Sequence, residues 1–339
     1  MPEPNTAEMS ARSPIVFQTL TAGVPPAFAL LAGMQLELFT ALADGPLTSD
    51  DIARHLGVAV EPVSRLLYAL ILAGLLEHDD GRFANTEETA EFLVKGRPRY
   101  LGGMHELFDE IWRADLLTAQ SIRRGAPQAL HDYADTTDAE MTSFLRGLRG
   151  SALAAGRELA ERFDFSHCRT VIDIGGGPGG VIAALCERYQ NLRGTLFDLP
   201  QTAALAAPLL AAGPAADRLD IQPGDILEAP PHGRYDAAVL RAVVQVFGAE
   251  EAATAIANAA AVLRPGGRLY VLGGGILDDS RLGPRNAVFL NLTFLNVYRA
   301  GAAYTEAEHF AWLLAAGCIN PRRDALAGGA AVIWATKGG

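Results

Sequence analysis

The chain has 339 residues, 50% of them hydrophobic and 20% charged, enough for two soluble globular domains with ample core. A formal net charge of -11 disfavours a partner with a phosphate backbone, so no nucleic acid is expected. Three cysteines, Cys168, Cys186 and Cys318, are odd in number and widely spaced, which suggests neither a disulfide framework nor a zinc site and fits a reducing cytoplasm.

Residues 1–14 are polar and proline-bearing and read as a flexible tail without secretory character. No apolar run reaches the roughly 20 residues a membrane helix needs, so no membrane partner is expected. Residues 15–43, rich in Ala, Leu and Phe, read as buried helices interrupted near Pro25 and Pro26. Next, Thr48 and Asp51 begin a helix that Gly57 ends, Pro62 opens a second that Gly74 closes, and Leu75 to Thr86 form a two-stranded wing turning at Asp80-Gly81. This is a winged helix-turn-helix pattern. Its second helix carries one basic residue, Arg65, too few for a DNA reader, so residues 15–100 are read as an interaction surface, with DNA binding the minor alternative.

From residue 101 to 162 the pattern is mostly helical, with an aromatic and apolar stripe that includes Trp112. His105, Asp109 and Asp115 are read as solvated helix positions. The stretch GAPQALHDYADTTD is read as a surface loop before a helix from Ala139 to Arg162.

The segment VIDIGGGPGGVIAALCERYQNLRGTLFDLP, residues 171–200, contains a buried strand, a glycine turn, a helix start and a second strand ending in an acid. Gly175, Gly177 and Gly180 satisfy the spacing of a dinucleotide turn, and Asp198 lies where an acid would hold a ribose diol. Asp173 decides between cofactors: a carboxylate two residues before the turn would repel a pyrophosphate, whereas S-adenosylmethionine brings an ammonium and a sulfonium. That cofactor is therefore favoured over NAD. Helices and strands alternate through the rest of the chain, and Asp225 with Ile226 follows a strand where a carboxylate accepts from an adenine amino group and an aliphatic side chain covers the ring. RPGG at 264–267 reads as a tight turn into a strand.

Together the winged-helix domain, RPRYLGG, VIDIGGGPGG, FDLP, GDIL, AAVLRAVVQVFGAEEA, VLRPGGRLYV and YTEAEHFAWLLAAGC resemble the two-domain, S-adenosylmethionine-dependent small-molecule O-methyltransferases of the acetylserotonin and caffeate type. The resemblance covers nearly the whole chain. It implies an α/β class I (Rossmann-like) methyltransferase domain at 163–339, a helical connector at 101–162 lining the substrate pocket, and a homodimer through the N-terminal winged-helix domain. It assigns cofactor contacts to Gly175, Gly177, Asp198, Leu199, Asp225 and Ile226, with Asp173 at the strand tip and Arg241 where many relatives carry Lys. It also points to a substrate pocket formed by Trp112, Phe289, Asn291, Phe294, Asn296 and Tyr298, suited to a planar natural-product or pigment-like molecule.

In that family a histidine after the fourth strand removes the substrate's proton, and here Gln245 stands at that place. An amide takes no proton near neutral pH. The sequence then implies methyl transfer to an acidic oxygen or a nucleophilic carbon with Gln245 as a positioning group. The alternatives are a non-methylating reaction on the bound cofactor, or a catalytically silent dimeric binding or regulatory protein. His309 is the candidate substitute base. No acid cluster beyond the cofactor set is visible, so no metal is expected.

Overall fold

A computed structural model describes residues 14–131, 133, 136–326 and 330–339. The expected tail thus falls, except for Pro14, outside the described residues. The chain divides into two compact units, Met1–Gly102 and Gly103–Gly339.

The first unit contains helices α1 (Ile15–Ala22), α2 (Val24–Gln35), α3 (Leu38–Ala41), α4 (Ser49–Leu56), α5 (Val60–Leu72) and α6 (Glu87–Phe92), with strands β1 (Leu47–Thr48), β2 (Leu76–Asp79) and β3 (Arg82–Asn85). Local chemistry sets these boundaries. The Thr48 side chain accepts from the Asp51 N–H at the start of α4, and Gly57 ends it in the left-handed conformation. Asp80 and Gly81, with φ of 43° and 71°, make the tight turn between β2 and β3. Two expectations change. Pro25 and Pro26 start α2, where a missing N–H costs nothing, and the break falls at Gly23. The helices are not all buried: α1 has no buried residue, and Phe17 is 68% exposed. The stretch Ile15–Gln35, 21 residues at mean hydropathy 1.6, is also long and apolar enough to cross a membrane, contrary to the sequence reading.

The second unit opens with α7 (His105–Asp115), α8 (Thr118–Arg124) and α9 (Asp138–Arg162), the last started by a Thr137–Glu140 capping box. Strand β4 (Thr170–Ile174), helix α10 (Gly180–Arg188), β5 (Arg193–Asp198), α11 (Pro200–Ala211), β6 (Leu219–Pro223), β7 (Tyr235–Arg241), α12 (Ala249–Ala261) and β8 (Leu263–Gly273) follow. The chain ends through β9 (Ile276–Leu277), α13 (Arg285–Val297), β10 (Tyr304–Thr305), α14 (Glu306–Ala315), β11 (Cys318–Ala325) and β12 (Ala331–Lys337).

The seven-stranded sheet has the order β11-β12-β8-β7-β4-β5-β6. Strands β4 to β8 pair in parallel, and β12 and β11 add antiparallel at one edge. Val171, Ile172 and Ile174 of β4 are fully buried, because helices cover both faces. The RPGG segment does not precede the strand: it is looped out within β8, whose register against β7 shifts between Tyr235 and Ala237. The chain runs outward from β4 through β5 to β6 and returns to β7 on the other side of β4. That reversal opens a crevice at the carboxyl ends of β4 and β7, the place where open α/β sheets bind ligands.

Candidate active site

A cavity of about 410 Å³ opens at this crevice, within the size range of small-molecule sites. All its lining residues belong to the second unit. The turn after β4 forms one end: Gly175 and Gly177 have φ of 62° and 53°, which side-chain-bearing residues rarely adopt. At Gly176 the constraint is space, since a Cβ there would lie 2.5 Å from the Asp173 carboxyl carbon.

Asp198, at the end of β5, holds the turn by accepting from the Gly177 N–H through Oδ2 and from the Leu199 N–H through Oδ1, each at 2.8 Å. The Thr202 side chain hydrogen-bonds to this carboxylate as well, and acceptor capacity remains for a ligand hydroxyl. Burial pushes its carboxyl up to about 6 against these hydrogen bonds. Asp225 begins the loop after β6, with Oδ1 accepting from Leu227 N–H at 2.8 Å, and both it and the buried Ile226 line the cavity.

Asp173 does not line the cavity. It is fully buried beneath the glycine turn, neither carboxylate oxygen has a hydrogen-bond partner, and burial pushes it up to about 7. Arg241 is the nearby cation that opposes this shift; its Nη2 donates to Ser151 Oγ at 3.1 Å, and its own burial lowers its pKa. Asp173 is thus the acid that Arg241 faces, Asp198 and Asp225 add two more carboxylates to this end of the site, and a buried carboxylate without partners is offset by a cation arriving close by. An adenosine carrying a sulfonium and an ammonium fits this donor set; a pyrophosphate does not.

The other end is apolar and aromatic. Leu290, Thr293, Phe294 and Val297 of α13 line it at helical spacing, with Tyr298 just after, and Leu107, Glu110 and Ile111 contribute from α7. Met141, Phe144, Leu145 and Leu148 of α9 complete the wall. Of the expected pocket residues, Phe294 and Tyr298 are there. Phe289, Asn291 and Asn296 are not, because each lies about 100° or more around α13 from the lining face. Phe289 is 53% exposed beneath the Arg285 guanidinium, Asn291 accepts from the Ala303 N–H at 2.8 Å, and Asn296 donates to Thr118 Oγ1 at 2.8 Å. Trp112 stacks on Phe108 at 5.3 Å, one residue past the lining face of α7. Asp109 pairs with Arg113, as a solvated residue should, but Asp115 lies 3.4 Å from the Asn296 amide.

Gln245 lines the cavity from a short 3₁₀ turn after β7, reached through Ala242 at φ 58°. Its amide oxygen is turned toward Gly275, where a Cβ would lie 2.6 Å from it. His309 lies elsewhere. It is buried on α14, its Nδ1 donates to Thr305 O at 2.8 Å, burial pushes it down to about 4, and it meets Gln245 only across a separate void of about 10 Å³. The geometry therefore does not bring His309 to the cavity.

The residues that the sequence reading passed over are Glu110, His131 and Tyr133, all on the cavity wall. The supposed surface loop is pinned to α13, with Ala129 N–H donating to Asn296 O at 3.0 Å and His131 N–H to Val297 O at 2.9 Å. A histidine and a tyrosine two apart in an otherwise acidic loop were the available signal. Asp132, Ala134 and Asp135 of that loop lie outside the described residues.

Comparison with known proteins agrees with this geometry. A family model described as the O-methyltransferase domain matches residues 115–318, and one described as the O-methyltransferase dimerisation domain matches residues 21–95. The chain belongs to the O-methyltransferase family. It is 32% identical over 314 residues to the 3-hydroxy-5-methyl-1-naphthoate 3-O-methyltransferase of Streptomyces sahachiroi, covering 91% of this chain and 90% of that one. It is 30% identical to the mitomycin biosynthesis 6-O-methyltransferase of Streptomyces lavendulae, over 93% and 91% of the two chains. Its fold matches human N-acetylserotonin methyltransferase in complex with SAM at a TM-score of 0.84, with 22% identity, over 99% of this chain and 100% of that one. The Rossmann-like methyltransferase fold preceded by a dimerisation domain is thereby established, and the chain is a methyltransferase.

Proposed function

We propose that this O-methyltransferase moves a methyl group from S-adenosylmethionine to a hydroxyl of a planar, natural-product-like small molecule. One observation carries the reading: a single cavity joins an acid-lined glycine turn to an apolar, aromatic chamber, and Gln245 lines it too. When bound, the cofactor supplies an electrophilic methyl on a positively charged sulfur. Asp198 accepts from the ribose hydroxyls, Asp225 accepts from the adenine amino group, Ile226 packs on the ring, and the glycine turn leaves room for the amino-acid arm. Asp173 and Arg241 set the field beneath it.

Substrate enters the chamber of α7, α9 and α13, where Phe144 and Phe294 suit a flat ring system. Gln245 orients it by hydrogen bonding, and burial excludes water that would compete for the methyl. Relatives named for a hydroxynaphthoate and for mitomycin biosynthesis support a polycyclic, secondary-metabolite acceptor. The exposed apolar residues of α2, in the segment matched by the dimerisation model, and those of α1 just before it support a homodimer that covers them. Incubation with a panel of hydroxylated naphthoates tests the activity: methylated product and S-adenosylhomocysteine should appear in equal amounts. Retained, unconsumed cofactor with every acceptor contradicts it.

A further inference from the structure

Resting on that methyl-transfer reading, we propose that His131, oriented by Glu110, accepts the substrate's hydroxyl proton. The two residues come from different elements of the cavity wall. His131 Nδ1 lies 2.8 Å from Glu110 Oε1. An ionised carboxylate only accepts, so Nδ1 carries the hydrogen and Nε2 presents a lone pair. That Nε2 is buried and has no hydrogen-bond partner. His131 lines the substrate chamber, Glu110 orients its ring, and Nε2 lies just behind the accessible wall without a partner, the arrangement that general-base chemistry requires once substrate seats against the ring.

The ring is held in place from several sides. Tyr133 packs edge-on at 4.5 Å and Phe144 tilts against it at 4.7 Å, while the backbone is tied to α13 through Val297. The ionisable groups facing it are Glu110 from α7, Glu140 from α9 and Tyr133 from its own loop, with Tyr298 after α13 and Asp198 of β5 facing Tyr133 in turn. Tyr133 and Tyr298 hydrogen-bond to one another, and burial holds both protonated, Tyr298 up to about 12, so neither accepts a proton near neutrality. Glu140 is occupied by Thr137. His131 is the one imidazole on the cavity wall among the described residues.

The step balances without another reactant. The substrate O–H bond breaks and its proton goes to His131 Nε2, giving an imidazolium that Glu110 stabilises. The oxygen's electron pair forms the new O–C bond, the pair of the C–S bond stays on sulfur, and the proton then passes to solvent.

The test compares wild type with His131→Gln and Glu110→Gln, using 3-hydroxy-1-naphthoate as acceptor. His131→Gln should lower kcat by about 100- to 10,000-fold and remove the acid limb of the kcat/KM profile, while calorimetric affinity for S-adenosylhomocysteine stays unchanged. Glu110→Gln should lower kcat less than His131→Gln does and loosen the tautomer of His131, since an amide at that place can donate as well as accept. A His131→Gln enzyme that keeps its acid limb and a kcat within about threefold overturns the proposal while leaving the methyl-transfer reading intact. A second readout needs no turnover: nitrogen-15 NMR of histidine-labelled protein with S-adenosylhomocysteine should show His131 as the Nδ1–H tautomer at alkaline pH. The Nε2–H tautomer there overturns the proposal, even for a protein that methylates none of the acceptors tried.

Discussion

Asp198 Oδ2 accepts a hydrogen bond from the Gly177 N–H at 2.8 Å, so the acid at the end of one strand fixes the glycine turn at the end of its neighbour. The carboxylate shapes the cofactor end of the cavity before any ligand arrives, and its remaining lone pairs point to a ribose diol as ligand. Two roles on one side chain make its loss more severe than the loss of a single contact.

Asp198→Ala should therefore weaken S-adenosylmethionine binding about 10- to 100-fold, from charge-assisted hydrogen bonds of roughly 1.5–3 kcal/mol. Titration calorimetry measures it. Unchanged affinity, or tight binding of NADH in place of S-adenosylmethionine, contradicts the assignment.

Asp173 makes binding and stability depend on pH in opposite directions. Burial raises its folded carboxyl to about 7, so the folded chain holds that proton more tightly than the unfolded chain, whose carboxyl has its ordinary value near 4. The cofactor-free protein should lose stability as pH rises from about 4 to about 7 and change little beyond, for this group. A cationic ligand prefers the ionised form, so affinity should rise over the same upper range with proton release on binding. Asp173→Asn should remove its share of both effects, leaving the part below about pH 6 that Asp198 contributes, and should raise the melting temperature of the cofactor-free protein at alkaline pH while weakening the cofactor. Calorimetry in two buffers of different ionisation heat reads the proton count, and zero protons between pH 6 and 7 sinks the account.

Exposure of Phe17 and Phe28 on α1 and α2 sets the assembly prediction. Light scattering should report a dimer at micromolar concentration, and Phe17→Asp with Phe28→Asp should shift it toward monomer. A stable wild-type monomer contradicts it, as does specific DNA binding at physiological salt.

Gln245→Ala should lower turnover by about tenfold, the scale of one neutral hydrogen bond, and leave the pH profile in place. Gln245→His should add an ionisation of its own. Neither kcat nor KM responding to the alanine change would remove Gln245 from the site.

The sequence made visible what local chemistry dictates. Thr48, Gly57 and Asp80-Gly81 mark their turns through caps and positive φ, and the strand-turn-helix at 171–188 is written in its apolar run and glycines. Helix phase was less legible. Along α13 every third or fourth residue is apolar or amide on more than one face, so Phe289, Asn291 and Asn296 looked as good as Leu290, Thr293 and Val297, and only packing against α7 and α8 chose between them. His131 was hidden for another reason: a polar loop reads as solvated unless its backbone is known to bond to a distant helix, here to Val297, 166 residues on. The exposure of α1 was hidden too, since apolar sequence does not say whether its own chain or another covers it.

A crystal structure with S-adenosylhomocysteine tests the central claim most directly, because the claim is about where a methyl would point. The account predicts the ribose hydroxyls on Asp198, the adenine against Ile226 with its amino group at Asp225, and the sulfur facing the chamber between Gln245 and His131. A ligand whose sulfur faces away from that chamber, or whose ribose sits elsewhere than Asp198, would contradict it.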